Sequence, residues 1–500
     1  MTIAVVVVAM LAGCSRKADP RTAVMLIESS PTNLDPRIGT DAQSERIDKL
    51  IFDALVERDE TFNVRPWVAK SWEIPDPLTY VFHLRDDVRF HDGKALTSAD
   101  VKWTIDSILA GRVRSPKIGT YKYVDHIDAP DPLTVVFHLK EPYSSLLWNL
   151  ADGGIGIVEA GATDGVAQHP VGSGPFRFES AAADRNVVLA RNDQYWGAKA
   201  RIERVLFNVV PDDTTRALEL RKGSADAAIN SLNPDTVATL EQDANLAVDR
   251  APGTTYTYLA LNLRDPILKD QRVRQALAYA IDREPMIHWL WHDMVRPAES
   301  VLPSQHWAYN PGARKYPHDV ARARSLLDEA GYRAGHDGVR FHLTMKTSTD
   351  GSTRLLAAVL QQQVREAGIA LDIRTYEFAT LYSDVVKGAF QMYSLRWIGG
   401  NEDPDIFDYV FGSESFPPKA ANRSYYVNPA VDKLVKDARY ATDQARRQKD
   451  YFEIQQLVSE DQPYINLWYV DNVLVHTRRL QTMHLSPSGN YDFLKTAELK

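Results

Sequence analysis

The stretch Asp270-Gln271-Arg272-Val273-Arg274-Gln275-Ala276-Leu277-Ala278-Tyr279-Ala280-Ile281 predicts an amphipathic helix, because its apolar residues recur at every third or fourth position. It follows a Thr- and Tyr-rich stretch at residues 251–263, a composition typical of a β-strand. A strand that leads into a helix is the unit from which α/β folds are built. We therefore expect an α/β fold around this segment.

The same alternation of strand-like and helix-like segments continues on both sides. Apolar periodicity and helix-ending glycines mark the helices, and short apolar runs mark the strands. No low-complexity segment or long run of like charge interrupts the pattern. The predicted elements are a strand at 24–27, a helix that begins at Ser44 and includes Ala54 and Leu55 in its apolar face, helices over 319–331 and 353–367, and strands at 369–373 and 463–475.

A near-repeat marks a β-rich unit in the first third of the chain. Residues 76–85, DPLTYVFHLR, return as residues 131–140, DPLTVVFHLK, and eight of the ten positions are identical. Because no third copy follows, a solenoid is excluded and two similar strands in one small sheet are expected. We also predict a strand over 88–90 and, between the copies, a helix capped by Ser98 and closed by Gly111.

Length and composition indicate a globular protein with enough core for several domains. Of the 500 residues, 44% are hydrophobic and 10% are aromatic, which suits two to four domains or one large interleaved body. The net charge of -8 argues against nucleic acid as a partner, since nucleic acid attracts clustered Lys and Arg. A single cysteine, Cys14, leaves no internal disulfide.

Cys14 directly follows a short apolar run, VVVVAMLAG, at residues 5–13. The run is shorter than the roughly 20 residues that span a bilayer, but it suits the core of a signal peptide. Leu11-Ala12-Gly13-Cys14 resembles a bacterial lipobox, although no Lys or Arg precedes the run. The alternative is a secretory signal followed by an incidental cysteine. We predict a lipoprotein signal peptide over 1–14, lipid attachment at Cys14 and a place in the cell envelope, periplasmic or extracytoplasmic and tethered to a membrane.

Sequence signatures of catalysis or metal binding are weak. We find no Gly-x-Ser-x-Gly elbow, phosphate loop, zinc-protease helix or dinucleotide fingerprint. His288 and His292 have the one metal-like spacing, four residues apart on a predicted helix, but no third ligand is close in sequence. The acidic group between Glu402 and Asp408 lacks the glycine and final glutamate of an EF-hand. We predict no catalytic residues, no metal and no cofactor.

Short motifs along nearly the whole chain occur together in one order. The most specific block is RVRQAL at 272–277 followed by AIDR at 280–283. On these motifs the chain resembles the bacterial extracellular solute-binding proteins of family five, the oligopeptide- and dipeptide-binding lipoproteins of ABC importers. The other motifs that carry the resemblance are LDP at 34–36, PWVAKSW at 66–72, FHLR at 82–85, VRFHDG at 88–93, DV at 100–101, PVGSGPF at 170–176, Asn192, YWG at 195–197, Gly223, Asp226, AGY at 330–332 and DPD at 403–405.

The resemblance implies an α/β fold of the type II periplasmic-binding-protein kind, with a two-lobed cleft and an extra β-rich domain. Ligand would be enclosed between lobes I and III by closure about a hinge near 265, and the closed form presented to an ABC permease and its ATPase subunits. We expect a monomer. The implied division of the chain is domain I at 15–55, 171–265 and 471–500, the β-rich domain II at 56–170, and domain III at 266–470.

In this family a peptide lies extended in the cleft and is held largely through its backbone. Peptide binders that resemble this chain carry an Asp just after Trp-x-Gly, which holds the peptide's ammonium. Here Gly400 stands at that position, and a buried ammonium without a carboxylate costs several kcal/mol. Glu402 or Asp41 could substitute for it, or the ligand lacks a free amine.

We predict nine ligand-binding residues from the resemblance. Trp397 would stack on the ligand, and Arg396 would meet a carboxylate. The nine residues are Thr40, Asp41, Tyr256, Tyr258, Tyr393, Arg396, Trp397, Asn401 and Glu402.

Two other interpretations stay open. One is the same binding role for a non-peptide solute, such as an opine, a sugar, a nickel chelate or haem. A nickel chelate needs few protein ligands, so scarce His clusters do not exclude it. The other is a periplasmic enzyme or sensor subunit on the same scaffold, because a fold does not dictate a function.

Overall fold

The computed structural model describes residues 19–151, 155–399 and 401–500. The predicted signal peptide with Cys14, and Gly400 after Trp-x-Gly, lie outside the described residues. The strands are β1 Thr22–Ile27, β2 Val56–Arg58, β3 Val64–Pro66, β4 Ala69–Asp76, β5 Thr79–Leu84, β6 Val124–Asp131, β7 Thr134–Leu139, β8 Phe176–Ala182, β9 Asn186–Arg191, β10 Arg204–Val209, β11 Ala227–Ile229, β12 Leu246–Leu261, β13 Val295–Pro297, β14 Phe341–Ser348, β15 Ile369–Tyr376, β16 Met392–Trp397, β17 Tyr464–Thr477, β18 Leu480–Gln481 and β19 Glu498–Leu499.

Helices cover both faces of a large sheet that eleven of these strands form. None of the helices in the described part of the chain has the length and apolar character needed to cross a bilayer. The helices are α1 Ala42–Ile51, α2 Ser98–Leu109, α3 Leu146–Asn149, α4 Asp213–Lys222, α5 Pro234–Leu240, α6 Gln271–Ala280, α7 Arg283–Trp291, α8 Val320–Glu329, α9 Gly351–Glu366, α10 Phe378–Lys387, α11 Ile406–Phe411, α12 Pro429–Tyr440 and α13 Gln444–Asp461, with 3₁₀ turns at Pro116–Tyr121 and Tyr491–Lys495.

One mixed sheet runs through two lobes in the order β15-β14-β16-β12-β17-β11-β1-β10-β9-β8, with β13 paired to β17. The two long central strands, β12 and β17, are antiparallel and belong to both lobes. Residues 246–251 pair with 472–477 beside β11, and residues 255–260 pair with 464–470 beside β16 and β13. We call the β8–β11 side the first lobe and the β13–β16 side the second lobe.

Each lobe has a core on both faces of the sheet, because alternate side chains of a strand point to opposite faces. In β1, Met25 and Ile27 pack with α1, whereas Val24 and Leu26 pack with α4 and α5. In β12, Leu259 and Leu261 pack with α6, α8 and α9. The alternate residues of β12, including Tyr258, pack with α11, α12 and α13. The sheet is therefore an internal layer, as the predicted α/β fold requires.

A separate four-stranded antiparallel sheet, in the order β4-β5-β7-β6, confirms the structure expected for the near-repeat. The two copies pair with each other as β5 and β7, and Val81 lies opposite Val136. These are equivalent positions of the repeat, so the sheet has approximate twofold symmetry about that pair. Helix α2 and the inward residues of the strands form its core, and we call this unit the small-sheet domain.

The carboxylate of Asp53 links the small-sheet domain to the first lobe through hydrogen bonds. It accepts hydrogen bonds from the indole N–H groups of Trp67 and Trp196, both at 2.9 Å. It also accepts from the hydroxyls of Ser173 at 2.8 Å and Tyr195 at 3.2 Å. These four donors come from three sequence motifs, and together they explain why a buried carboxylate is tolerated at this junction.

Three expectations about element limits were wrong. Helix α1 begins two residues before Ser44, because Asp41 is its N-cap, and it ends before Ala54 and Leu55. Thr97, not Ser98, caps α2, with the Thr97 N–H donating to the carboxylate of Asp100 at 2.7 Å. Residues 88–90 form no strand: Val88 and Phe90 are buried, but the segment makes only an isolated bridge between Arg89 and Ala95.

Candidate functional site

A cavity of about 420 Å³ lies between the lobes, at the place where β12 and β17 pass from one lobe to the other. Residues of both lobes, of the two crossing strands and of the small-sheet domain line it. The lining residues are Thr40, Ala42, Glu45, Arg46, Lys49, Arg58, Trp148, Asn149, Asn230, Thr254, Thr255, Ile398, Gly399, Glu402, Asn472, Ser488 and Asn490. We call this cavity the interlobe cavity.

The floor of the interlobe cavity is an interruption in the pairing of β12 with β17. The register shifts between Ala251 and Thr255. A Cβ atom at Gly253 would lie 2.2 Å from the backbone oxygen of Val470, so only glycine allows the strands to approach this closely. Residues 251–255 thus form an irregular crossing directly beneath the cavity. The hinge predicted near 265, at the end of the same strand segment, stays a prediction.

A second cavity of about 520 Å³ adjoins the first within the second lobe. It lies at the carboxyl end of β14, where Ser348 leads into α9 and Asp350 caps that helix. Arg396 of β16 lines it, beside an apolar wall that includes Phe378 and Trp468. Ile398 lines both cavities, and 73% of this side chain is exposed. Because Ile398 borders both, we call the two cavities together the cleft.

Of the nine predicted residues, three line the cleft. Thr40 and Glu402 lie in the interlobe cavity and Arg396 lies in the second cavity. By contrast, Tyr256, Tyr258 and Tyr393 are completely buried in the core of the second lobe. Their positions on β12 and β16 turn them towards α11–α13 and away from solvent. The structure therefore does not bring the three tyrosines to the cleft surface.

The side chains of Asp41 and Asn401 make hydrogen bonds within the protein. The Asp41 carboxylate accepts from the backbone N–H of Ser44 at 3.0 Å and of Thr32 at 3.2 Å. Partial burial opposes these bonds, but the hydrogen bonds from Ser44 and Thr32 hold the pKa of Asp41 below its ordinary value. Asn401 is fully buried and donates to the carbonyls of Thr254 and Val301 at 2.8 and 2.9 Å. Through these hydrogen bonds both residues stabilise the walls of the cleft.

The Glu402 carboxylate likewise accepts hydrogen bonds from within the protein, although Glu402 lines the interlobe cavity. One oxygen accepts from the Arg58 guanidinium at 2.8 Å, and the other accepts from the Thr254 hydroxyl at 2.9 Å. Only 5% of Glu402 is exposed. The charge of Glu402 is therefore balanced by Arg58, and Asp41 lines neither of the two cavities, so neither residue takes the place of the aspartate expected at Gly400.

The Trp397 ring is packed on more than one side. It lies nearly parallel to the ring of Tyr258, with centroids 6.4 Å apart, and edge-on to Tyr409. The guanidinium of Arg423 lies 5.4 Å from its centroid and donates to the hydroxyl of Tyr382 at 3.0 Å. This packing orients Trp397 at the base of the loop that carries Ile398.

Sequence reasoning missed the basic residues of the interlobe cavity, Arg46, Lys49 and Arg58. Arg46 lies over the ring of Tyr491, 5.8 Å from its centroid, and within the described residues no carboxylate forms an ion pair with it. Lys49 is 3.5 Å from a carboxylate oxygen of Asp492. The available signal was the spacing of Ala42, Glu45, Arg46 and Lys49, which follow one face of α1 opposite its apolar stripe.

Burial also shifts the pKa of one further charged residue of the cavity lining, Glu45. Glu45 lies beside Arg46, and burial raises its pKa although Lys117, 4.0 Å away, acts in the opposite direction. The lining of the interlobe cavity thus carries three basic side chains, Arg46, Lys49 and Arg58, and two acidic ones, Glu45 and Glu402.

His288 and His292 do not converge on one point. His288 Nδ1 lies 3.1 Å from Asp293, and His292 Nε2 lies 2.7 Å from Asp235. The two imidazoles face different carboxylates.

A profile of the bacterial extracellular solute-binding proteins, family 5, matches residues 63–417. The chain belongs to this family. Among characterised relatives, the glutathione-binding protein GsiB of Pectobacterium atrosepticum is 29% identical over 486 residues, which is 95% of this chain and 93% of that protein. The dipeptide-binding protein of Escherichia coli is 28% identical and covers 91% of this chain and 90% of its own length.

Solved structures of other solute-binding proteins share the fold of this family member. HbpA2 of Haemophilus parasuis superposes with a TM-score of 0.85 at 25% identity over 96% of this chain and 100% of its own. NikA of Brucella suis, in complex with Fe(III)-EDTA, gives 0.85 at 26% identity over 96% and 100%. DppA of Helicobacter pylori, in complex with the peptide STSA, gives 0.73 at 28% identity over 96% and 98%. The predicted type II periplasmic-binding-protein fold is confirmed.

Proposed function

We propose that this solute-binding protein captures short peptides outside the cytoplasm and delivers them to an ABC permease and its ATPase subunits. The pair of adjoining cavities that forms the cleft is the observation that carries the proposal. Its two cavities, of about 420 and 520 Å³, lie within the usual size of ligand sites and meet at Ile398. A chain-like ligand suits this shape, and relatives named for dipeptide, oligopeptide and glutathione binding support it.

The charges of the cleft support recognition through the peptide's carboxylates. Arg46 faces the interlobe cavity without a carboxylate partner among the described residues, and Arg396 lines the second cavity. A guanidinium binds a carboxylate through two parallel hydrogen bonds, which is stronger and more directional than a neutral contact. Because Asp41 and Glu402 are occupied, we assign the main electrostatic contact to the ligand's anionic groups and not to its ammonium.

We propose that the lobes close on the ligand by bending β12 and β17 at residues 251–255. In the described part of the chain, these are the only two strands of the large sheet that belong to both lobes, and their pairing is already irregular at that point. Closure is driven only by contacts that form in the closed state. Of the predicted domain limits (domain I at 15–55, 171–265 and 471–500, domain II at 56–170, and domain III at 266–470), this proposal moves the boundary at 265 to residues 251–255, because residues 255–260 pair within the second lobe, and it keeps the others.

We also propose that the mature protein is a monomer held at a membrane by a lipid on Cys14, after removal of a signal peptide. The motif Leu11-Ala12-Gly13-Cys14 carries this part of the proposal. The mass of the N-terminal fragment of protein extracted from membranes checks it, since lipidation adds acyl mass to Cys14 and an unmodified cysteine contradicts the anchor.

Binding of trialanine and of its C-terminal amide tests the role of Arg46. In isothermal titration we expect Arg46→Gln to weaken binding of the free acid about tenfold or more, corresponding to ~1.4 kcal/mol or more, and to change binding of the amide little. The matched control is Arg322→Gln, because Arg322 is an exposed arginine of α8 outside the cleft. An equal loss for acid and amide would contradict carboxylate recognition by Arg46.

A metal chelate with several carboxylates is the second candidate ligand. NikA, in complex with Fe(III)-EDTA, superposes with a TM-score of 0.85, against 0.73 for peptide-bound DppA. The arginines that suit a peptide carboxylate also suit the carboxylates of such a chelate. Titration with Fe(III)-EDTA in the same assay distinguishes this candidate, since it competes with trialanine only if both occupy the cleft.

A further inference from the structure

Three side chains with metal-binding chemistry converge on the outer face of the small-sheet domain. The ligand atoms of His126, Asp128 and His138 all lie within 4.8 Å of one another. His126 and His138 are paired across β6 and β7, with ring centroids 4.3 Å apart. An oxygen of Asp128 lies 3.3 Å from His138 Nε2 and 3.9 Å from His126 Nε2. None of the three residues lines the cleft.

A bulge in β6 brings these residues to one face. The register shifts between Val124 and His126, so Asp125 has no direct partner on β7. Strict alternation would place His126 on the buried face together with Val124. Because of the extra residue, Val124 and Ile127 point inward while His126 and Asp128 both point outward. The bulge therefore builds the cluster.

A fourth residue orients one of the imidazoles. The carboxylate of Asp125 lies 2.9 Å from Nδ1 of His126. A carboxylate in that position accepts the Nδ1 proton, which leaves the lone pair of Nε2 directed at a metal ion. Carboxylate–histidine pairs of this kind support the ligands of zinc sites and raise their basicity.

We propose that His126, Asp128 and His138 bind one Zn²⁺ ion through Nε2 of each histidine and a carboxylate oxygen of Asp128. Two imidazoles and a carboxylate suit zinc, and three protein ligands leave the fourth tetrahedral position to water. Tetrahedral coordination places ligand atoms about 3.4 Å apart, given bonds of about 2.1 Å. The Asp128–His138 separation of 3.3 Å meets this distance, and the separation of 3.9 Å between Asp128 and His126 Nε2 is close to it.

Zinc titration of the protein, purified without a histidine tag and stripped with EDTA, tests the proposal. We expect one Zn²⁺ per chain in competition with a chromophoric chelator at about pH 7.5. His138→Ala removes a ligand and should weaken binding more than tenfold. Asp125→Asn keeps all three ligands and should weaken binding about tenfold through loss of orientation. Affinity should fall as the pH is lowered, because protons compete for the imidazoles.

His342→Ala is the matched control. His342 is an exposed histidine on β14, and its Nδ1 lies 3.6 Å from a carboxylate oxygen of Asp372, but no second histidine faces it in the described structure. This variant should bind zinc like the unaltered protein. Absorption of the Co²⁺-substituted protein gives a second readout, since intense visible bands indicate tetrahedral coordination. Absence of saturable binding, or binding unchanged in His138→Ala, would overturn the proposal.

Discussion

His306 lies where the second lobe meets the hairpin of β2 and β3. Its Nδ1 accepts from the backbone N–H of Ala308 at 2.9 Å, so the proton must be on Nε2, which donates to the carbonyl of Glu402 at 3.0 Å. The ring stacks on Phe62, with centroids 5.4 Å apart. Burial lowers the pKa of His306 to about 3, and the folded protein therefore keeps this residue neutral.

This histidine predicts a loss of stability in mild acid. Its folded-state pKa lies below the ordinary value of about 6.5, so between pH 6.5 and 3 the unfolded chain binds a proton that the folded chain does not. The free energy of unfolding should fall by roughly 1.4 kcal/mol per pH unit in that window from this group alone. Urea unfolding at pH 7 and pH 4.5 measures the effect, and His306→Gln should reduce the difference by about 2–3 kcal/mol. An undiminished pH dependence in the variant would contradict this account.

At the scale of residues, the sequence predicted residues that lie behind the cleft walls better than residues that line the cleft. Glu402 was predicted, but its partners Arg58 and Thr254 lie 344 and 148 positions away, and only the folded chain shows that they occupy its carboxylate. Tyr258 was predicted because it lies on the crossing strand. Alternation shows that its neighbours face the other way, but it does not show which face of the sheet the cleft uses.

At the scale of elements, the turn at residues 170–176 packs directly against the end of α1. A Cβ atom at Gly172 would lie 2.0 Å from the backbone oxygen of Ile51. The N–H of Gly174 donates to that same oxygen at 2.8 Å, and the Gly172 carbonyl accepts from the His91 N–H at 2.8 Å. The glycines of this motif are therefore explained by close approach of two backbones.

Gly172→Ala should destabilise the protein by about 2 kcal/mol or more, because backbone atoms and not a flexible side chain would have to move. The matched control is Gly119→Ala, since an added Cβ at Gly119 meets no atom within 4 Å. Chemical unfolding of both variants measures the difference. Equal stability of the two variants would show that the turn can shift away from α1 without cost.

The elements were largely predictable because their signals are local. Strands β1 and β17 and helices α6, α8 and α9 follow from periodicity, and the pairing of β5 with β7 follows from the near-repeat. Limits were wrong where capping decides them, as at Asp41 before α1. Residues 88–90 alternate like a strand, yet no strand in the described structure pairs with them, and this depends on the tertiary fold.

At the scale of the whole molecule, the ordered motifs indicated two lobes and a cleft, and the fold agrees. The sequence did not reveal that one sheet runs through both lobes. That arrangement depends on the pairing of β12 with β17, whose residues are about two hundred positions apart. It places the cleft over the point where β12 and β17 pass from one lobe to the other. The proposed closure of the lobes therefore requires bending of these two strands.

Mass spectrometry of the compound released by denaturing the purified protein tests the central claim most directly. We expect a set of short peptides of mixed sequence with free carboxyl termini, because backbone recognition and an arginine-lined cleft tolerate different side chains. A single non-peptide compound or a metal chelate would contradict the assignment of peptides as the ligand.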